Sequence, residues 1–304
     1  MPAATRRPAF APPAHALPAR ARLNGRPPVR LPWLAAFLAA ASAFFAAGTC
    51  MAGTHAALAD YEPRIGQPGK DLVWVPTAGA LVEKMLDLAQ ATPADYLIDL
   101  GSGDGRTVIA AARRGLRAHG IEYNPELVAL ARRNAEQAGV AGRATFAQGD
   151  IFESDYSQAQ VITLFLLPTL NERLRADILA LAPGTRVVSN SFPMFDWEPD
   201  ETALANGDCQ TYCEALLWIV PARVQGDWRL DGAPLRLTQR FQFLDGSLGE
   251  HEIEAGRLRG REISFVADGI RYTGTVEDNA MHGTAAGAAG TRGWRAYRAG
   301  AAAP

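Results

Sequence analysis

The chain has 304 residues, 48% of them hydrophobic, which is enough to bury one or two packed cores and excludes an intrinsically disordered protein. The formal net charge is −2, but residues 1–59 hold six arginines and no acid, so the remainder carries −8. A body that acidic offers no general phosphate-neutralising surface, which argues against a nucleic-acid partner.

Residues 1–30 are rich in Ala, Pro and Arg, show no apolar period and cannot build a core. From Leu31 to Gly53 the chain is apolar and uncharged, and the small-residue site Ala57-Leu58-Ala59 precedes Asp60, the first carboxylate. Basic, apolar and small-residue segments in that order predict an export signal cleaved before Asp60. The rivals are an uncleaved anchor giving membrane association through 31–53, a run long enough to span a bilayer, and an organellar transit peptide. An exported (periplasmic or cell-envelope) or membrane-anchored location is preferred to a cytoplasmic one.

From Asp60 helix and strand signals alternate. Apolar spacing predicts a helix over Ala80–Ala89, a short buried strand over Tyr96–Leu100 and a helix over Arg106–Arg114. Leu116–Glu122 is the next strand. Asn124, Pro125 and Glu126 supply an N-cap, a first-turn proline and an early acid that open a long helix, closed by Gly139. Ala144–Ala147, Val161–Leu167 and Arg186–Ser191 give three further strands, and Leu174–Leu181 is the helix before the last of them. Residues 60–221 therefore read as an α/β domain built on a doubly wound, mostly parallel sheet.

Over 222–304 the period changes to short alternating strands with Gly-marked turns. Leu235, Leu237, Phe241 and Phe243 alternate with polar residues, and this predicts a small antiparallel β-sheet or barrel domain. TAAGAAGTRG, residues 284–293, reads as a flexible loop. Cys209 and Cys213 form either one bridge or two buried thiols. The five histidines do not cluster, so no metal site is expected.

Ligands of a doubly wound sheet sit at the C-terminal strand ends. After the first strand comes GSGDG, residues 101–105, whose bare backbone lets amides approach a ligand at a helix N-terminus. Its glycines run G-x-G-x-G, not the G-x-G-x-x-G of dinucleotide binders. Glu122 ends the second strand, where it suits ribose hydroxyls, and Asp150 with Ile151 follows the third, where they suit an adenine edge and face.

The motifs DLGSGDGR, IEYN and GDIF resemble the successive cofactor motifs of class I S-adenosylmethionine-dependent methyltransferases. WVPT, VITLFLLP and SNSFPMFDWEPDET are similar to the group containing the mitochondrial lysine methyltransferases that act on the ATP synthase and on the adenine nucleotide translocase. The resemblance covers roughly Asp71 to Pro221. It implies S-adenosyl-L-methionine as cofactor, held by Asp99, Gly101, Ser102, Gly103, Glu122, Asp150 and Ile151, with Thr77 closing over it. It also implies a protein lysine as acceptor. Trp197, Phe192 and Asn190, near the last strand end, are the candidates for the acceptor channel. A non-catalytic sensor or scaffold that keeps the nucleoside pocket is the alternative.

Overall fold

The computed structural model describes residues 61–207 and 209–300, so the expectations for residues 1–59 lie outside the described residues. In chain order the first sheet and its helices are α1 (Gly79–Leu88), β1 (Tyr96–Leu100), α2 (Arg106–Arg113), β2 (Arg117–Glu122), α3 (Pro125–Gln137), β3 (Ala144–Gln148), β4 (Val161–Leu164), α4 (Pro168–Leu179), β5 (Arg186–Asn190), β6 (Glu201–Leu204) and β7 (Glu214–Ile219). The sheet order is β3-β2-β1-β4-β5-β7-β6, with only β7 antiparallel to its neighbours. This is the mostly parallel, doubly wound sheet expected from the sequence. The strand order reverses between β1 and β4, which opens a crevice at their C-terminal ends.

The two faces of the sheet are covered differently. α1, α2 and α3 bury Leu81, Met85, Val108, Ala112, Val128 and Ala131 against Leu97, Phe146, Val161 and Val188. The opposite face has α4, which contributes Leu170, Leu174 and Ile178. The loop after β5 completes that cover with Met194 and Trp197. Asn124 caps α3 as its residue type predicts, its side-chain oxygen accepting from the Glu126 amide at 2.8 Å. β4 ends at Leu164, three residues earlier than the apolar run suggests, because Phe165, Leu166 and Leu167 leave the sheet to line a cavity. α4 starts at Pro168, six residues earlier than predicted, with proline in the first turn, where it costs the helix no hydrogen bond.

The second sheet comprises β8 (Gly226–Leu230), β9 (Ala233–Arg240), β10 (Phe243–Leu248), β11 (His251–Glu252), β12 (Glu254–Arg259), β13 (Glu262–Ala267), β14 (Ile270–Glu277), β15 (Ala280–Gly287) and β16 (Gly290–Arg298). It is an antiparallel meander in which β16 pairs back onto β8, and β9 onto β10, so all strands but the short β11 close into a barrel. Trp228, Phe265, Tyr272 and Trp294 fill its interior, with Phe265 and Tyr272 stacked at 4.8 Å. The segment expected to be a flexible loop, 284–293, is instead the β15–β16 hairpin. The neighbouring strand β14 makes room for the Trp294 ring with a glycine: a Cβ on Gly274 would come within 2.6 Å of it. Phe241 and Phe243 do not continue the inward alternation of Leu235 and Leu237. The turn between β9 and β10 resets the phase, and Leu244 points inward instead.

The barrel meets the first sheet through the loop before β6. Trp197 donates its indole N–H to Gln242 Oε1 at 2.9 Å, and Gln242 Nε2 donates to the Glu198 carbonyl at 2.8 Å. Phe241 stacks on Trp197 with centroids 5.8 Å apart, and Arg257 pairs with Asp200 at 2.9 Å. Among the described residues no helix is long and apolar enough to cross a membrane.

Candidate active site

The C-terminal ends of β1, β2, β3 and β4 surround a cavity of about 550 Å³, within the usual range for small-molecule sites. Its floor is the glycine loop. Gly103 and Gly105 have φ of 53° and 83°, in the left-handed region that favours glycine. A Cβ on Gly103 would stand 2.6 Å from Trp74 Nε1, and one on Gly105 would stand 2.7 Å from Phe146 Cζ. The loop is thus bare for two reasons: one glycine admits the covering segment and the other seats α2 against α3 and β3.

Glu122, at the end of β2, organises this floor. One carboxylate oxygen accepts from the Gly103 amide and the other from the Asn124 amide, both at 2.9 Å. Each oxygen keeps acceptor capacity beyond these bonds. Asp99, on β1, accepts from Thr163 Oγ1 at 2.6 Å and is buried. Burial, reinforced by the charges of Glu122 and Asp104 and opposed by the Thr163 bond, pushes its pKa up to about 7. Asp150 follows β3 and accepts from the Phe152 amide at 3.0 Å. It also pairs with Lys70, whose hydrogen bond is the main cause holding the Asp150 carboxyl below the usual carboxylate range.

A strap formed by residues 67–77 runs across these loops. Lys70 reaches Asp150, Trp74 lies on Gly103, and the Thr77 carbonyl accepts from Arg106 Nη1 at 2.9 Å. Arg106 in turn bonds Asp104 of the glycine loop at 2.6 Å, so strap and loop are tied by one guanidinium.

All of Thr77, Asp99, Gly101, Ser102, Gly103, Glu122, Asp150 and Ile151 line this cavity. Of the acceptor-channel residues predicted from sequence, only Phe192 does. Trp197 is fully buried at the barrel junction, where the indole N–H finds its acceptor in Gln242, and it is not part of this cavity's lining. Asn190 is also fully buried; its Nδ2 donates to Thr77 Oγ1 at 3.2 Å, which places it behind the lining. The sequence reasoning missed Lys70, Arg106, Phe165 and Tyr212, which also line the cavity. Phe165 lay within the VITLFLLP run. Tyr212 had a signal too, since it lies between the two cysteines, and Cys209 and Cys213 are bridged.

The residues present suit an adenosine cofactor with a charged amino-acid tail: an amide-lined glycine cradle, carboxylates at three successive strand ends, and an aliphatic Ile151 beside one of them. A family model described as the ANTKMT methyltransferase domain matches residues 99–201. The chain is 44% identical over 131 residues to a protein-lysine N-methyltransferase of Saccharolobus islandicus, covering 42% of this chain and 81% of that protein. It is 38% identical to the ATP synthase C-subunit lysine N-methyltransferase of Mus musculus and 40% identical to the mouse adenine nucleotide translocase lysine N-methyltransferase. These matches cover 43% and 41% of this chain, and the chain spans little more than half of those relatives, 53% and 56%. A solved structure described as an RNA methyltransferase from Salinibacter ruber, in complex with S-adenosyl-L-homocysteine, is 48% identical over 49% of this chain and 96% of that one, with a TM-score of 0.46. Identical at 44% of the aligned positions to a lysine methyltransferase across most of that protein's length, the chain belongs to the family of S-adenosylmethionine-dependent protein-lysine N-methyltransferases.

Proposed function

We propose that the protein transfers methyl groups to the ε-amine of a lysine in a protein substrate in or near a membrane. The observation that carries this reading is the mixed lining of the cavity. Asp99, Glu122 and Asp150 line it from β1, β2 and the turn after β3, and Leu166, Leu167 and Phe192 line it from the segments after β4 and β5. The first set suits a nucleoside with an amino-acid tail, and the second suits an alkyl chain.

In this reading Glu122 takes the ribose hydroxyls, Asp150 and Ile151 take the adenine edge and face, and the glycine loop with Asp99 holds the amino-acid part. The strap closes over them. When bound, the cofactor supplies a methyl group that its sulfonium makes electrophilic. Alignment and exclusion of water are therefore the main tasks of the protein. The acceptor lysine, with an ordinary pKa of about 10.4, must lose its proton, which an apolar lining favours. The residues lining the cavity would hold the neutral amine so that its nitrogen faces the methyl group, and the displaced proton would leave to solvent.

The test is transfer of label from methyl-labelled S-adenosylmethionine into fractionated extracts, followed by hydrolysis of the labelled material. Methyl-lysine recovered from membrane-fraction protein is the expected result. Label in RNA, or in another amino acid, overturns the reading.

The compartment proposed is outside the cytoplasm. The Cys209–Cys213 bridge supports it, because such bridges persist where thiols are not kept reduced. A reporter active only outside the cytoplasm, fused after residue 70, should be active; an inactive fusion refutes export.

A further inference from the structure

Tyr212 belongs to none of the cofactor motifs, yet it lines the cavity from the loop between β6 and β7. It sits inside the Cys209–Cys213 bridge with φ of 57°, a left-handed conformation that a bulky residue rarely adopts. Its ring meets Phe165 edge-on with centroids 5.3 Å apart, and Phe192 at a tilt with centroids 5.5 Å apart. Phe165 and Phe192 stack on each other at 5.8 Å. Three rings thus arrive from three different strand ends: Phe165 after β4, Phe192 after β5 and Tyr212 before β7. The cluster is not a buried core, since Tyr212 is 45% exposed and the neighbouring Leu167 is 42% exposed.

We propose that Phe165, Phe192 and Tyr212 form the acceptor site, gripping the alkyl stem and ammonium head of the substrate lysine and its methylated forms, and that the Cys209–Cys213 bridge holds Tyr212 in that site. This rests on the lysine reading given above. Ring faces attract a cation through their quadrupole and offer an apolar surface to the methylene stem. Opening the bridge with a dithiol reductant leaves a pair of thiols, while the reductant becomes a disulfide. The loop is then released, and lysine binding becomes redox-dependent without any change in the cofactor half of the cavity.

The test uses the full chain with S-adenosyl-L-homocysteine present, titrated by calorimetry with a short trimethyl-lysine peptide and with its neutral tert-butyl isostere. Wild type should prefer the charged peptide by about fivefold, the range expected for a cation on partly exposed rings. Tyr212→Ala and the double variant Cys209→Ser/Cys213→Ser should abolish the preference and raise the acceptor KM about tenfold, whereas Tyr212→Phe, which keeps the ring, should retain the preference. Affinity for S-adenosyl-L-homocysteine should be the same in all four proteins, which shows that the variants are folded. Equal binding of peptide and isostere by wild type, or an unchanged preference in Tyr212→Ala, overturns the acceptor site while lysine methylation by wild type continues. A wild type that methylates RNA and no lysine overturns the lysine reading itself, and with it this site.

Discussion

Glu122 and Asp99 show how one carboxylate can be conductor and another a liability within the same cavity. Glu122 fixes two backbone amides and keeps acceptor capacity for a ligand. Glu122→Ala should therefore weaken S-adenosylmethionine binding by about 1–3 kcal/mol, read by calorimetry on the folded variant, as expected for loss of a charge-assisted bond. Asp99 pays for its burial through its proton. Folded, it keeps that proton up to about pH 7, whereas unfolded it releases it near its ordinary value of 3.8. Between those values the folded state binds the extra proton, so stability from this group is greatest at acid pH and falls as pH rises towards 7. Asp99→Asn should remove that fall: the variant gains on wild type as pH increases, by on the order of 2–4 kcal/mol above pH 7, in urea titrations run across that range. The positions of Glu122 and Asp150 were readable in the sequence because one ends its strand and the other follows its strand by two residues, so the strand signal places each. Trp197 was not. It lies in a loop after a strand end, but the residue that captures its indole is Gln242, 45 positions later and with no sequence signal of its own.

At the scale of elements, the glycine loop works only because α2, α3 and β3 close around it. Gly105→Ala should destabilise the protein by about 2–3 kcal/mol, since it forces both a left-handed alanine and a 2.7 Å clash with Phe146. A thermal melt with and without cofactor reads this, and a variant as stable as wild type would show that the loop tolerates a side chain there. The parallel strands were legible as short apolar runs, and α3 was legible through its cap and proline. α4 was less so: Leu170, Leu174 and Ile178 do recur at helical spacing, but the preceding apolar run masked where strand gave way to helix. The proposed acceptor side was legible only in part. Phe192 was readable from its place after the last strand, but Phe165 and Tyr212 lie far from it in sequence, and the strand order β4-β5-β7 is what brings the three together.

Across the whole molecule the barrel and the first sheet share a polar staple at Gln242, which is fully buried. Gln242→Ala should strand both the Trp197 indole and the Glu198 carbonyl and cost about 2–4 kcal/mol, lowering the thermal midpoint by several degrees. A midpoint within one degree of wild type would mean that water replaces the staple. The barrel itself is unevenly sewn. β15 and β16 share eight register pairs, but β16 meets β8 through three and β10 meets β12 through two. The β16–β8 seam also joins the two ends of the meander, so closing it must overcome the entropy of the longest chain loop in the barrel. This predicts an order of assembly in which five strands, β12 to β16, zip up by local hairpins and the β8–β10 ribbon is sealed onto them last. By the same logic amide hydrogens of β8 facing β16 should exchange with solvent before those of β14 and β15, the barrel opening along the line where it finished folding.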